Sequence, residues 1–258
     1  MSDGVVQAGT KEDKGAENKK GQLFGLGVGP GDPELVTMKA VKLLAQSDVI
    51  AFPSAKASGG NARKTVEPYI TENHELMPLI YPVTAGPVAD TSSYLPIINK
   101  FYDETAEEIA KILDKGKNVS IICAGDPFVF GSYMYWHARL SYRYDVTVVP
   151  GISSVLAAPV QLGMPLCHRE DTVSILPATL SEDELVERLN QCGSAVIMKL
   201  GRTFPKVVRA LEKANMIDNA YYVERATMEK ERILPVKDVK PNDVAYFSVI
   251  VIPCEKPV

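Results

Sequence analysis

Leu23-Phe24-Gly25-Leu26-Gly27-Val28-Gly29-Pro30-Gly31-Asp32-Pro33 is an apolar run that breaks into glycines and closes on Asp-Pro. The run reads as a strand. Asp32 and Pro33 read as the N-cap and first residue of a helix, because an aspartate side chain accepts orphan N–H groups and proline has none to lose. Leu35, Met38, Val41 and Leu44 follow at helical spacing. Glycines between strand and helix permit positive φ and bring backbone close to a ligand. Two phosphate-binding signatures fail here. Read as G-x-G-x-x-G, the last position falls on Pro30 or Asp32, and no Gly-Lys-Ser/Thr follows for a Walker A loop. Spacing alone slightly favours a structural turn.

The same grammar repeats along the chain. Val49–Phe52, Val119–Cys123 and Val146–Val149 are short apolar runs that read as strands. Tyr94 to Leu113 carries Ile98, Phe101, Tyr102, Thr105, Ile109 and Leu113 on one helical face and stops at Gly116. A helix is expected from Ser132 to Leu140, and a shorter one within Ala62 to Tyr69. Residues 54–92 otherwise read as irregular, with Pro78, Pro82 and Pro87. Ser153 is expected to cap a helix that ends at Gly163 and has Pro159 inside it, where proline costs about 3 kcal/mol or forces a kink. Strands at Thr172–Leu176, Ala195–Met198 and Ala220–Val223 alternate with helices at Glu182–Leu189 and Pro205–Ala214. Ile233–Val236 and Val244–Ile252 are late strands with no helix between them, which predicts antiparallel pairing at the end. Alternating units of this kind predict an α/β protein. Pro150 to Ser154 marks the expected division: a disordered tail over 1–21, an α/β domain over 22–150 and a second over 151–258.

Composition narrows the partners. The chain has 258 residues, 46% hydrophobic and 23% charged, with a net charge of −4. That balance argues against a nucleic-acid binder. No apolar stretch is long enough to span a bilayer, and residues 1–20 lack the apolar core of a signal peptide. A cytoplasmic protein is expected. Cys123, Cys167, Cys192 and Cys254 have no knuckle or redox spacing and read as buried thiols. His74, His137 and His168 share no ligand spacing, so no metal centre is expected. Asp103-Glu104 and Glu107-Glu108 read as a solvated face.

Two further turns resemble the first in placement. Ala124-Gly125-Asp126-Pro127-Phe128-Val129-Phe130-Gly131-Ser132 follows one strand, and Val149-Pro150-Gly151-Ile152-Ser153-Ser154 spans the end of another. Gly-Asp-Pro thus occurs twice at strand C-termini, where open α/β sheets bind ligands. Asp126 also suits a loop-holding role and Ser153 an ordinary N-cap.

Together these motifs resemble the tetrapyrrole (corrin/porphyrin) methylase family. The matching residues are Gly27 to Leu35, then Thr37 and Lys39-Ala40; Gly125-Asp126-Pro127 with Gly131 to Tyr135; Pro150 to Ser154; and Leu162 to Leu166. Within the family the pattern is most similar to the branch that methylates precorrin-2 at C20 to give precorrin-3A, in cobalamin biosynthesis. The resemblance implies two α/β domains with S-adenosylmethionine folded in a trough between them, not in a Rossmann site. It implies cofactor contacts at Pro30, at Ala124, Gly125, Asp126 and Val129, at Ser153 and Ser154, and at Leu200 and Ala226. It implies a homodimer and a tetrapyrrole substrate, and it assigns no general base. Ala124 and Phe130 depart from the glutamate and tyrosine usual in that branch. Tyr133, Tyr135 and Trp136 suit either a flat macrocycle or the helix core. The alternatives are the cobalt-loaded substrate, uroporphyrinogen III or another family target, and a non-catalytic tetrapyrrole or nucleoside binder.

Overall fold

A computed structural model describes residues 19–82 and 91–254, with backbone alone for 91–93. The expected tail lies mostly outside these residues, as does Pro87. Lys20 and Gly21 already engage the fold: Lys20 Nζ lies 3.4 Å from Asp114 and Gly21 N–H donates to the Leu113 carbonyl at 2.8 Å.

Five strands form a parallel sheet in the order β3-β2-β4-β1-β5. They are β1 (Leu23–Gly27), β2 (Val49–Ser54), β3 (Glu75–Ile80), β4 (Val119–Cys123) and β5 (Val146–Val149). Sheets with both faces covered have nearly continuous apolar strands, and β1 and β4 are buried at every position. Alternation splits them between two cores. Leu23, Val119 and Ile121 meet α3 (Thr91–Leu113) and α4 (Tyr133–Leu140). Phe24, Leu26 and Ile122 meet α1 (Met38–Leu44) and α2 (Asn61–Thr65). The expected apolar face of α3 is buried at Ile98, Phe101, Tyr102, Ile109 and Leu113. Its acidic face is exposed but not free: Arg139 Nε holds Asp103 at 2.6 Å, and Arg143 pairs with Glu107.

The second sheet is mixed, in the order β6-β7-β10-β8-β9. β6 (Val173–Pro177) runs parallel to β7 (Ser194–Met198); β10 (Ser248–Ile252) runs antiparallel to β7 and to β8 (Tyr221–Glu224). Antiparallel pairing arises as expected, with a different partner. β9 (Arg232–Pro235) and β10 both pair with β8, one on each side. α6 (Glu182–Leu189) and α7 (Phe204–Lys213) cover one face over Ala195, Ile197, Tyr222 and Ile250. α5 (Ser154–Leu162) covers the other over Val196, Val223, Val249 and Val251. A reciprocal capping box between Ser181 and Glu184 starts α6.

Four local expectations change. Asp32 caps only a 3-10 turn, Pro33–Leu35; α1 has its own cap in Thr37, whose hydroxyl accepts from Ala40 N–H at 3.2 Å. Met38 consequently points outward, 70% exposed, and Ala40 and Leu44 form the buried face. The helix expected within Ala62–Tyr69 is split into α2 and a 3-10 turn, Glu67–Tyr69, at Pro68, which has no N–H to continue the ladder. The proline-broken stretch around Pro78 forms β3, possible because it is an edge strand.

Ser194 Oγ is the one buried side-chain nitrogen or oxygen without a hydrogen-bond partner among the described residues. An unpaired buried hydroxyl costs about 1–3 kcal/mol. Ser194→Ala is therefore expected to stabilise the fold by about 1 kcal/mol in urea denaturation. An unchanged or lower midpoint would show that the hydroxyl is satisfied in solution.

Candidate functional site

β4, β1 and β5 are neighbours and parallel, so the turns that follow them emerge side by side. The three glycine-bearing motifs, far apart in sequence, thereby share one sheet edge. Gly29 and Gly125 exchange backbone bonds, Gly125 N–H to the Gly29 carbonyl at 2.7 Å and the reverse at 3.3 Å. The second and third turns are equally close. A Cβ on Gly27 would lie 2.4 Å from Gly151 N, and one on Gly151 would lie 2.1 Å from the Gly125 carbonyl oxygen. Only glycine permits this packing.

Asp126 fastens the assembly. One carboxylate oxygen accepts from Phe128 N–H at 2.8 Å and the other from Gly151 N–H at 3.0 Å. It joins the second turn to the third, and its side chain is engaged before any ligand arrives. Asp126→Asn is expected to lower stability by about 1–2 kcal/mol, since charge-assisted acceptors are roughly twice as strong as neutral ones. Melting curves of the ligand-free protein check this; no change would mean the loop is held some other way.

Gly125 differs from its neighbours. Its φ is +69°, and a Cβ there would meet only Ser153 Cα, at 3.8 Å, within 4 Å. That atom belongs to the third turn, and at this distance the contact is an ordinary van der Waals one that leaves room for a methyl group. Ser153 caps α5, its hydroxyl accepting from Val155 N–H at 3.3 Å, and is buried; Ser154 is half-buried. Ala124 is half-buried, Pro30 is buried and Val129 is exposed between Phe128 and Phe130, which are 50% and 42% exposed.

The second sheet presents its own strand ends to this edge. Leu200 and Ala226 follow β7 and β8, which run parallel to each other on either side of β10. Both side chains lie in apolar cores, which leaves backbone for a ligand. Direct contacts join the two halves. Thr227 Oγ1 accepts from Asp32 N–H at 3.1 Å, Asn61 Nδ2 donates to Met228 Sδ at 3.6 Å, and Met228 packs on Gly31. Lys199 Nζ sits 4.9 Å from the centre of the Phe130 ring. Phe130, Lys199, Arg225 and Thr227 all have positive φ. Such backbone is uncommon outside glycine and clusters at functional sites. Sequence reasoning named neither Lys199 nor Thr227 nor Met228. Each acts across the two halves, where spacing carries no signal.

The aromatic group divides. Tyr133 and Trp136 are fully buried in the first core, and Trp136 Nε1–H donates to Thr105 Oγ1 at 2.9 Å. Tyr135 is 46% exposed but stacks on Tyr102 with centroids 4.6 Å apart. Helix packing explains the first two. Burial pushes the Cys123 thiol up to about 11 and raises the Tyr133 phenol, so both stay protonated near neutrality.

Two facing sheet edges, joined across a glycine-built cradle, define an α/β protein of two five-stranded sheets, distinct from a Rossmann fold. The family model "Tetrapyrrole (Corrin/Porphyrin) Methylases" matches residues 22–239, and the chain belongs to that family. The precorrin-2 C(20)-methyltransferase of Sinorhizobium sp is 41% identical over 233 residues, 90% of this chain and 95% of that protein. The cobalamin biosynthesis protein CobIJ of Mycobacterium tuberculosis (strain H37Rv) is 40% identical over 234 residues, 91% of this chain and 46% of that one. The chain thus spans about half the length of the mycobacterial relatives it matches. Among solved structures, the cobalt precorrin-4 methyltransferase CbiF superposes with a TM-score of 0.69 at 25% identity, over 90% of this chain and 94% of that one. Among the described residues no helix is long and apolar enough to cross a membrane.

Proposed function

We propose that this chain transfers a methyl group from S-adenosylmethionine to C20 of precorrin-2, giving precorrin-3A and S-adenosylhomocysteine in cobalamin biosynthesis. Membership of the methylase family and 41% identity to a precorrin-2 C(20)-methyltransferase support the reaction. The observation that carries the site is Gly125, whose backbone is at positive φ and where an added Cβ would touch only Ser153 Cα, at 3.8 Å, so that any side chain would take up room between the second and third turns. Pro30, Ala124, Gly125, Asp126 and Val129 would line the donor from the first half. Ser153 and Ser154 would hold it from the turn between halves, and Leu200 and Ala226 through backbone from the second.

When bound, the donor supplies an activated methyl on a sulfonium, so the protein need not provide a nucleophile. A carbon–sulfur bond breaks, a carbon–carbon bond forms at C20, and a proton leaves the product. The chain's work is positioning and exclusion of water. Asp126 and the glycine bridge fix the cradle in advance, and the exposed faces of Phe128, Val129 and Phe130 offer apolar surface to a flat ligand. Lys199 places a cation at the rim, suited to the carboxylates of a tetrapyrrole.

The test is mass spectrometry after incubating the protein with S-adenosylmethionine and precorrin-2, with and without cobalt. A gain of one methyl on the metal-free substrate is expected. Turnover confined to the cobalt-loaded form would move the reading to the anaerobic reaction. Donor binding without transfer to any tetrapyrrole would favour a non-catalytic binder.

The division at Pro150–Ser154 into two domains belongs to the same reading, as does a homodimer. Leu76, Ile80, Leu95 and Ile97 are exposed on β3 and the start of α3, apolar surface of the kind a partner copy covers. Light scattering is expected to give twice the chain mass at micromolar concentration. Four free cysteines suit a reducing compartment such as the cytoplasm.

A further inference from the structure

The loop between α5 and β6 carries a second constellation, on the far side of α5's sequence from its capping serine. His168 and Asp171 come from this loop, and Cys254 comes from the segment just after β10. One candidate ligand atom from each lies within 4.8 Å of those of the other two. His168 Nδ1 is 2.6 Å from Asp171 Oδ2, and the same oxygen accepts from His168 N–H at 2.9 Å. Cys254 is buried, and its thiol donates to the Pro165 carbonyl at 3.3 Å. His168 and Asp171 are half-buried.

We propose that His168, Asp171 and Cys254 form a binding site for a borderline-soft divalent cation of the zinc class. The donor set decides the class. One thiolate, one imidazole and one carboxylate suit Zn2+ or its substitute Co2+ and do not suit Mg2+ or Ca2+, which take oxygen ligands. Ligand distances near zinc are about 2.0–2.3 Å, so donor atoms already grouped this tightly close on an ion with small movements. The His168–Asp171 hydrogen bond opens as the ion replaces the shared proton, and the Cys254 thiol loses its proton to become a ligand. Three protein ligands leave a fourth position for water. The ion would tie the loop after α5 to the end of β10, the strand that α5 covers. Its role is structural, and it stands apart from the methyl-transfer reading.

The 258-residue chain, stripped with chelator and exchanged into metal-free buffer, is titrated with Zn2+ by calorimetry and with Co2+ by absorption spectroscopy. One ion per chain is expected, with a higher melting temperature. Co2+ should give thiolate-to-metal absorption in the near ultraviolet together with tetrahedral visible bands. Cys254→Ser should abolish the thiolate band. His168→Gln, which leaves the thiol in place, should weaken Zn2+ at least tenfold, and both variants are checked for folding by melting curves. The proposal is overturned if the stripped wild type takes up no Zn2+ at about 100 μM, a binding free energy of only about −5.5 kcal/mol. It is overturned equally if both folded variants bind as the wild type does.

Discussion

Gly125→Ala is expected to reduce affinity for S-adenosylhomocysteine by about a hundredfold, roughly 2.7 kcal/mol, while the protein still folds. The product is the useful probe because it has the adenosine and amino-acid portions of the donor and cannot react. The added methyl meets no protein atom closer than Ser153 Cα at 3.8 Å, so the folded state has room for it. Holding alanine at a φ of +69° costs about 1–2 kcal/mol, which lowers the melting temperature modestly. The larger effect falls on the ligand, which would have to share the space between the second and third turns. Valine at the same position adds bulk and strain together and separates the two effects less well. Calorimetric titration beside melting curves reads both quantities. Wild-type affinity in the alanine variant would mean that the second turn is not the cofactor cradle.

Arg232→Met is expected to destabilise the protein by about 3 kcal/mol. Glu224 in β8 is only 4% exposed. Its Oε2 accepts from Arg232 Nη2 at 2.6 Å, from Arg232 Nε at 3.1 Å and from the Tyr222 hydroxyl at 2.9 Å, while Arg225 pairs with the other oxygen. Arg232 also reaches Asp243, Nη1 to Oδ2 at 2.5 Å and Nη2 to the carbonyl at 2.7 Å. One guanidinium therefore joins β8, β9 and the Pro241–Asp243 turn. Methionine keeps the apolar stem and removes the charge. The buried carboxylate then keeps Arg225 as its one cationic partner, and an imperfectly compensated buried charge is costly. Arg232 is itself one-third exposed, which holds the loss to the lower end for such pairs. Arg232→Lys restores the charge without the planar fork and should lie between the two. Urea denaturation near neutral pH measures all three; a shift below about 1 kcal/mol in the methionine variant would mean that Arg225 alone suffices. Ala226 and Thr227 lie two and three residues after Glu224, so a loosened β8 end is also expected to weaken ligand binding at the facing edge.

The sequence by itself determined the class of fold and most of its elements. Apolar runs of strand length, helical faces such as that of α3 and glycine at the end of α5 are local signals, and local sterics and solvation decide them. The motif resemblance reached the family, because turns that approach a ligand or another backbone tolerate few residues. The sequence did not reveal β3, since Pro78 masks a strand that only an edge position allows, nor the separate start of α1, since Asp32 is a good cap for a shorter turn. The tertiary structure alone decided what meets across distance. It bonds Gly29 to Gly125 and Asp126 to Gly151, sets Thr227 against Asp32, and stacks Lys199 on Phe130. It also buries Tyr133 and Trp136, and it gathers His168, Asp171 and Cys254 from positions with no ligand spacing. Such encounters depend on strand order and on the packing of two sheets, and no periodicity along one chain encodes which strand ends become neighbours.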